Sequence, residues 1–421
     1  MNAVHASNVR AGTNSDMIFE EAKALLMEER SPEDPAFAGL KRCTRCILPE
    51  TFPGIRFNEE GVCNYCLGYE PIQVKGEREL EQILSKYRGK GKNYDCIVPI
   101  SGGRDSAYAL HQIVKKYKMR TLALTVDSGA IMPEGYRNIE TITKALGVDH
   151  VWIKDDEHIR TAKRNTEIKF HAWLKKPAIN TIAPVLNAGD KQMNLRMFRY
   201  AHENRIPLLL GGNNIGNSSF EQEHFKTGYM GVFPDERGMY SAFDKFRLSF
   251  LFGWEFLMNR GNYHWPVFKE YLGGAFVYFF ESLQKPGDVD ALGFYDYIYW
   301  NEKEIVSTIK SELGWMGASD TSATWRVDDA AYPLIDYIYL KLVGFNEFDE
   351  YFSKLIREGQ VSREDGLKRC LSDHAPRIPS LMKAFDELKV TEEQVDEVLE
   401  KYRDQLLEKI IIKRALGEKP S

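Results

Sequence analysis

Short apolar runs and amphipathic segments alternate through the middle of the chain. Four short apolar runs predict strands: 94–100 (YDCIVPI), which is β-branched and typical of a buried strand, 120–126, 150–153 and 207–210. Segments with helical spacing predict four helices between and around them: 106–118, 134–146, 157–174 and 190–204. Because strands that alternate with helices are typical of a parallel sheet covered on both faces, the pattern predicts a doubly wound α/β fold.

Outside this region the pattern changes, and it divides the chain into five parts. These are a tail and helix (1–40), a cysteine segment (41–75), the α/β domain (76–238), an aromatic-rich insertion (239–300) and a helical region (301–421). The insertion has neither a clean helical nor a clean strand period, and we expect an acceptor pocket or an interface there. Asn301 with Glu304, and Thr391 with Gln394, predict capped helix N-termini in the last part.

Charge and length narrow the class of protein. The chain has 421 residues, and its 56 Lys and Arg against 61 Asp and Glu give a net charge of −5. This balance disfavours a nucleic-acid partner, since a broad binding face for phosphates needs a surplus of basic side chains. The sequence has no run of 18 apolar residues, and its N-terminus lacks the apolar stretch of a signal peptide. We therefore expect a cytoplasmic protein without a membrane span.

A glycine-rich hexapeptide follows the first predicted strand, and it consists of Ser101, Gly102, Gly103, Arg104, Asp105 and Ser106. The glycines allow a tight turn that brings N–H groups close to a ligand, and the next helix adds partial positive charge at its N-terminus. Such a turn is typical of a phosphate site. Ser101 and Ser106 can add hydroxyl donors and Arg104 a charge-assisted contact, whereas Asp105 fits if it holds Mg²⁺ or orients the reacting group. An ordinary strand–turn–helix connection is the alternative.

Two further strand ends carry candidate nucleotide contacts. Asp127 and Ser128 end the second predicted strand, and Gly211, Gly212 and Asn213 end a later one. In open α/β sheets, ligands bind at the carboxyl ends of the strands. Plain turns are the alternative at both places, because Asp-Ser-Gly and Gly-Gly-Asn are common turn sequences.

Four of the six cysteines have the spacing of a metal site. Cys43 and Cys46 form one C-x-x-C pair, and Cys63 and Cys66 form a second, with sixteen residues between the two pairs. Two such turns supply four thiolates to a tetrahedral Zn²⁺ ion and leave no open position, so we expect a structural role. An iron–sulfur cluster is the alternative metal site. The alternatives without a metal are two disulfides, which a reducing cytosol disfavours, and four unrelated thiols, which the paired spacing disfavours.

The hexapeptide resembles the SGGxDS loop of the PP-loop (N-type) ATP pyrophosphatases. That resemblance implies an adenine nucleotide alpha hydrolase-like fold, cleavage of ATP between its α and β phosphates, and a loop that grips pyrophosphate. Together with the cysteine segment, the chain resembles the N-acetyl sugar amidotransferases of surface-polysaccharide biosynthesis. Two C-terminal stretches extend the resemblance, the first ending in Glu312-Leu313-Gly314-Trp315 and the second running from Leu355 to Glu364 (LIREGQVSRE).

The resemblance implies a reaction and its partners. ATP with Mg²⁺ would adenylate the acetamido oxygen of a nucleotide sugar, and ammonia would displace AMP to give an acetamidino group in lipopolysaccharide (O-antigen) or related glycan biosynthesis. A separate glutaminase and a cyclase-like companion would make and channel the ammonia. The candidate catalytic residues are Ser101, Arg104 and Asp105.

One stretch departs from the family pattern, and two other functions stay open. Residues 316–326 replace a basic, His-containing segment, so the acceptor is not fixed by the resemblance. A sulfur-inserting PP-loop enzyme acting on tRNA or a small metabolite shares the activation step but needs a sulfur-carrying cysteine. A non-catalytic scaffold that binds ATP is the third hypothesis.

Overall fold

The computed structural model describes residues 37, 39–186, 193–211, 228–230, 232, 241–258, 264–265, 267–268 and 287–415. Five strands form its sheet: β1 (Cys96–Pro99), β2 (Thr121–Asp127), β3 (Asp149–Lys154), β4 (Leu208–Gly211) and β5 (Asp290–Gly293). They lie in the order β3-β2-β1-β4-β5, and every neighbouring pair is parallel. The predicted parallel α/β sheet is thus confirmed. The fifth strand lies in the part predicted as an aromatic-rich insertion.

Helices precede and follow the strands along the chain. Among the described residues before β5 these are α1 (Asn64–Leu67), α2 (Glu77–Ser85), α3 (Arg104–Lys115), α4 (Pro133–Leu146), α5 (Asp156–Lys175), α6 (Ile182–Leu186), α7 (Met193–Glu203) and α8 (Ala242–Met258). Short 3₁₀ turns cover Ile179–Thr181, Gly228–Met230 and Phe294–Asp296. The helix predicted at 106–118 begins two residues earlier, directly at the hexapeptide. No described helix combines the length and the apolar character that a membrane crossing requires.

Most residues after β5 are helical, as predicted, although 314–331 form a connection without a helix. The helices are α9 (Glu302–Leu313), α10 (Tyr332–Val343), α11 (Glu347–Arg357), α12 (Arg363–Asp373), α13 (Ile378–Leu388) and α14 (Glu392–Ala415). The predicted caps are present, since the Asn301 side chain accepts the Glu304 N–H at 3.0 Å and the Thr391 hydroxyl accepts the Gln394 N–H at 3.2 Å. Gly314 then ends α9 in the left-handed conformation that favours glycine (φ +68).

Both faces of the sheet are covered. Cys96 and Val98 of β1 pack on one face with α3, α4 and α9, whereas Ile97 points to the other face and packs with α7. The first of these cores continues into α11 and α12, so the C-terminal helices cover the sheet on the side that carries the hexapeptide helix. A separate core joins the cysteine segment to α5, α10, α13 and α14.

Candidate nucleotide site and metal centre

The hexapeptide lies at the point where the order of the strands reverses. It connects β1 to α3, and β1 and β4 are neighbours in the sheet whose connections leave in opposite directions. In open α/β sheets this crevice is where ligands bind. Gly102 has a φ of +86, and a Cβ there would lie 2.3 Å from the Gly135 carbonyl oxygen, so only glycine fits.

The first turn of α3 presents its amides next to two serine hydroxyls. No side chain caps the helix at Gly103, so its first N–H groups are available to an anion. The Ser101 and Ser106 hydroxyl oxygens lie 3.2 Å apart, and the Gly103 N–H donates to Ser101 Oγ at 3.3 Å. The local geometry is that of an anion-binding turn, and the roles of these residues toward a nucleotide stay predictions.

Arg104 faces the C-terminal helices. Only 3% of its side chain is exposed, and its guanidinium lies 4.8 Å from the Trp300 ring and 5.1 Å from the Tyr351 ring. It donates to Thr324 Oγ1 at 2.6 Å and to Glu302 Oε1 at 3.3 Å. The predicted contact of Arg104 with phosphate therefore has no support in this geometry, because the charge is already held by protein groups.

Asp105 is held in place by an aromatic neighbour. The Trp300 indole N–H donates to Asp105 Oδ1 at 2.8 Å, and the Tyr295 hydroxyl donates to the Asp105 backbone oxygen at 3.1 Å. The carboxylate keeps 19% of its surface exposed. It is thus oriented by the protein and still accessible, as a group that binds a metal ion or a substrate must be.

The end of β2 forms a hydrogen-bonded turn. Asp127 Oδ1 accepts the Gly129 N–H at 2.8 Å and the Tyr136 hydroxyl at 2.9 Å, while Lys154 Nζ lies 3.9 Å from Oδ2. Burial and the Asp127 carboxylate raise the pKa of Tyr136, which therefore remains a donor. Ser128 Oγ accepts the Ala130 N–H at 3.4 Å. These bonds also satisfy a plain turn, so the contact with nucleotide stays a prediction.

The third predicted cluster is described only in part. Gly211 is the last residue of β4 and pairs with Gly293 of β5, whereas Gly212 and Asn213 lie outside the described residues.

Residues that sequence reasoning missed hold the hexapeptide from outside. The Gly102 carbonyl accepts the Trp315 indole N–H at 2.9 Å and the Asn138 amide at 3.1 Å. The Asp328 carboxylate packs on Gly103, where a Cβ would lie 2.7 Å from Oδ2. Burial raises the pKa of Asp328. The E-L-G-W stretch was a signal for Trp315, but no pattern in the sequence singles out Asp328 or Asn138.

The four paired cysteines converge in a buried cluster. Cys43, Cys46, Cys63 and Cys66 are at most 4% exposed, and their sulfur atoms all lie within 4.8 Å of one another. The Cys43–Cys66 and Cys46–Cys63 sulfur pairs are 3.9 and 3.7 Å apart, and all four cysteines are free. The backbone N–H groups of Cys46 and Cys63 donate to Cys43 Sγ at 3.4 and 3.2 Å. A metal–sulfur bond of ~2.3 Å in a tetrahedron requires sulfurs ~3.8 Å apart, so the donor set fits one metal ion.

A second group of potential ligands has a structural explanation. The buried residues Asp349, Cys370 and His374 also lie within 4.8 Å of one another. His374 Nε2 lies 2.7 Å from Asp349 Oδ2, and Arg42 Nη1 lies 2.5 Å from Asp349 Oδ1. Burial alone would raise the pKa of Asp349, but His374 and Arg42 outweigh burial and lower it. An arginine at this distance disfavours a cation, so we interpret the group as a buried ion pair that anchors the cysteine segment.

Comparisons with known proteins give distant likenesses. No protein-family model matches the chain. A curated relative is the uncharacterized protein MJ1599 of Methanocaldococcus jannaschii, 31% identical over 119 residues. That match covers 27% of this chain and 43% of the relative, so the chain spans less than half the length of the curated protein it matches.

Two solved structures are similar in outline. NMN synthetase from Francisella tularensis is 14% identical with a TM-score of 0.30, over 75% of this chain and 96% of that one. The U34-tRNA thiolase NcsA from Methanococcus maripaludis, with its [4Fe-4S] cluster, is 14% identical with a TM-score of 0.28, over 76% and 86%. At these identities and TM-scores, neither structure shows the family or the function of this chain. The class of protein is defined by the chain itself: a doubly wound parallel α/β protein with a glycine turn at the switch point of its sheet and a buried centre of four cysteines.

Proposed function

We propose that this chain is an ATP-dependent enzyme of the PP-loop type, which transfers AMP to an acceptor oxygen and releases pyrophosphate. The observation that carries the proposal is the turn from Ser101 to Ser106, with its positive φ at Gly102 and its uncapped helix N-terminus at the switch point of the sheet. Backbone N–H groups and hydroxyls placed in this way stabilise the negative charge of a departing diphosphate.

The acceptor that we propose is the acetamido group of a nucleotide sugar. The support is the resemblance of the hexapeptide, the cysteine segment and the two C-terminal stretches to the N-acetyl sugar amidotransferases. An amide oxygen is a poor leaving group, and adenylation makes it a good one. Ammonia from a separate glutaminase, with its cyclase-like companion, would then displace AMP and leave an acetamidino group for O-antigen or a related glycan.

Each part of the site has a proposed role. Ser101, Gly102, Gly103 and Ser106 would hold the pyrophosphate, and Asp105 would hold Mg²⁺ or orient the reacting group. Contacts to the rest of the nucleotide would come from the ends of β2 and β4, namely Asp127, Ser128, Gly211, Gly212 and Asn213. For Arg104 we propose a positioning role, because its guanidinium binds Glu302 and Thr324.

For the cysteine cluster we propose a structural Zn²⁺ ion. The support is the match between the observed sulfur separations and those of a tetrahedral site. When bound, the ion would cross-link the two cysteine turns, and four thiolates leave it no open position for catalysis. The five-part division of the chain likewise remains our proposal, with the α/β domain as its catalytic part.

The test is a turnover assay on the full chain. Protein incubated with ATP, Mg²⁺, ammonia and a panel of acetamido nucleotide sugars is expected to release AMP and pyrophosphate, and the sugar product should carry an amidine. Ser106→Ala should lower the rate about 100-fold, the scale of losing one donor to a developing charge. Ser307→Ala is the matched control, because that hydroxyl is exposed on α9.

The other hypotheses predict different products. Sulfur in the product, with a sulfide donor present, would identify a sulfur transferase instead; the two cysteines outside the cluster, Cys96 and Cys370, are fully buried, which disfavours that reaction. ATP binding without release of AMP for every sugar tested would indicate a scaffold and contradict the proposal.

A further inference from the structure

Arg357 lies beside the cysteine cluster with two unused hydrogen-bond donors. It is the last residue of α11, and its guanidinium lies 5.0 Å from the Tyr69 ring. Its Nε and Nη1 atoms are excluded from solvent and have no hydrogen-bond partner in the part of the chain that the structure describes. A cation whose donors are shielded from water is costly unless a negative group lies close by.

The negative groups within reach of Arg357 are sulfur atoms. Cys46, Cys66 and Tyr69 are close enough to interact electrostatically with Arg357. Among the described residues, no carboxylate forms an ion pair with it. Neutral thiols would not offset a shielded guanidinium. Four thiolates around a divalent ion carry a net charge of −2, and they would offset it.

Two other arginines near the cluster have different partners. Arg45 donates to the Cys66 carbonyl at 3.1 Å, and Arg363 donates to the carbonyls of Cys43 and Cys46 at 3.0 Å each. Both hold the backbone of the cysteine turns, and carbonyls satisfy their donors. Arg357 differs because its Nε and Nη1 atoms have no carbonyl or other hydrogen-bond partner among the described residues.

We propose that Arg357 is the counter-cation of the metal centre, and that its guanidinium donates to the thiolates of Cys46 and Cys66 when a divalent ion is bound there. This inference rests on the metal site proposed above. It assigns Arg357 a positioning role toward the ligands. It also implies that the centre, four thiolates around one divalent ion, carries a net charge of −2. Groups that hold the ligands of a metal in this way commonly change metal affinity 10- to 100-fold when they are removed.

The test measures metal affinity in the full-length protein. Wild type, Arg357→Met and Arg357→Lys are loaded with Zn²⁺, and a chromophoric chelator competes for the ion; Co²⁺-loaded samples report thiolate coordination through their sulfur-to-metal absorption. We expect Arg357→Met to bind Zn²⁺ about 10- to 100-fold more weakly and Arg357→Lys to stay close to wild type. Arg45→Met is the matched control, an arginine that contacts a carbonyl, and it should weaken binding less than Arg357→Met.

The outcomes separate this inference from the proposed metal site. A wild-type chain that binds neither ion would overturn both. A wild-type chain that binds Zn²⁺, with Arg357→Met of equal affinity or with Arg357→Lys weakened as much as Arg357→Met, would overturn the role of Arg357 alone. If circular dichroism shows that Arg357→Met does not fold, Arg357→Gln takes its place with the same expected loss.

Discussion

At the scale of single residues, the contact between Trp300 and Asp105 is the most informative. Trp300 makes two contacts. Its indole N–H donates to the Asp105 carboxylate, and its ring lies against the Arg104 guanidinium. Removing the N–H while keeping an aromatic ring separates the two contacts.

Trp300→Phe should therefore reduce turnover in addition to stability. The loss of one hydrogen bond to a charged group costs about 2 kcal/mol of folding free energy. A misplaced Asp105 would lower the rate of AMP formation about 10- to 100-fold. Trp254→Phe, an exposed position on α8, is the control. Equal rates for Trp300→Phe and wild type would show that the orientation of Asp105 is not needed.

Residue roles could be predicted from the sequence only where the determining contacts are local. Ser101 and Ser106 are five residues apart, and the turn that joins their hydroxyls follows from its glycines. The contacts of Arg104 with Glu302 and Thr324 could not be predicted, because these two residues lie 198 and 220 residues further along the chain. Asp328 was missed for the same reason, since only the folded chain brings it to Gly103.

At the scale of helices and strands, the sequence predicted four of the five strands and most helices of the α/β part. The buried strands β1, β2 and β4 were found because their aliphatic side chains form short continuous runs. β5 was missed because its four residues (Asp290–Gly293) carry one buried position and little β-branched character. The aromatic stretch around 242–258 was ambiguous, and it is a helix with Phe243, Phe246 and Phe250 exposed on one face. Because the exposed face is apolar, the segment lacks the alternation of apolar and polar positions that usually identifies a surface helix.

The C-terminal end of α12 makes a prediction about pH. The pKa of Asp373 is raised to about 6, and burial is the largest cause. A carboxylate at a helix C-terminus is also disfavoured by the helix dipole. The folded state therefore holds a proton that the unfolded state has already lost. As pH rises from about 4 to about 6, this carboxyl makes the free energy of unfolding smaller.

Asp373→Asn removes this titration and keeps a side-chain partner for Ser322. Between pH 4 and pH 6 the variant should gain about 2 kcal/mol of stability relative to wild type, the scale of a shift of about two pH units. Urea unfolding of both proteins across this range measures the difference. A difference that stays constant with pH would contradict the raised pKa.

At the scale of the whole molecule, the segment between α11 and α12 connects the two candidate sites. Arg357 and Arg363 lie at the cysteine cluster. Between them, the Gln360 side chain donates to the Trp300 carbonyl at 2.8 Å and accepts the Glu302 N–H at 3.2 Å. Trp300 and Glu302 in turn hold Asp105 and Arg104. The metal centre is thus linked to the hexapeptide through one short turn.

Gln360→Ala should uncouple the two sites. Loss of both amide contacts frees the backbone around Trp300, so we expect the rate of AMP formation to fall about 10-fold or more while the protein still binds one Zn²⁺ ion. Gln73→Ala is the control, an exposed glutamine whose side chain donates to the Pro71 carbonyl. Unchanged turnover in Gln360→Ala would show that the link does not matter for the loop.

The central claim is that the turn from Ser101 to Ser106 binds the β and γ phosphates of ATP. A crystal structure of the chain with Mg²⁺ and a non-hydrolysable ATP analogue tests it most directly. The account predicts these phosphates within hydrogen-bond distance of the first N–H groups of α3 and of the Ser101 and Ser106 hydroxyls. A nucleotide bound elsewhere, or one that turns its adenine to this loop, would contradict it.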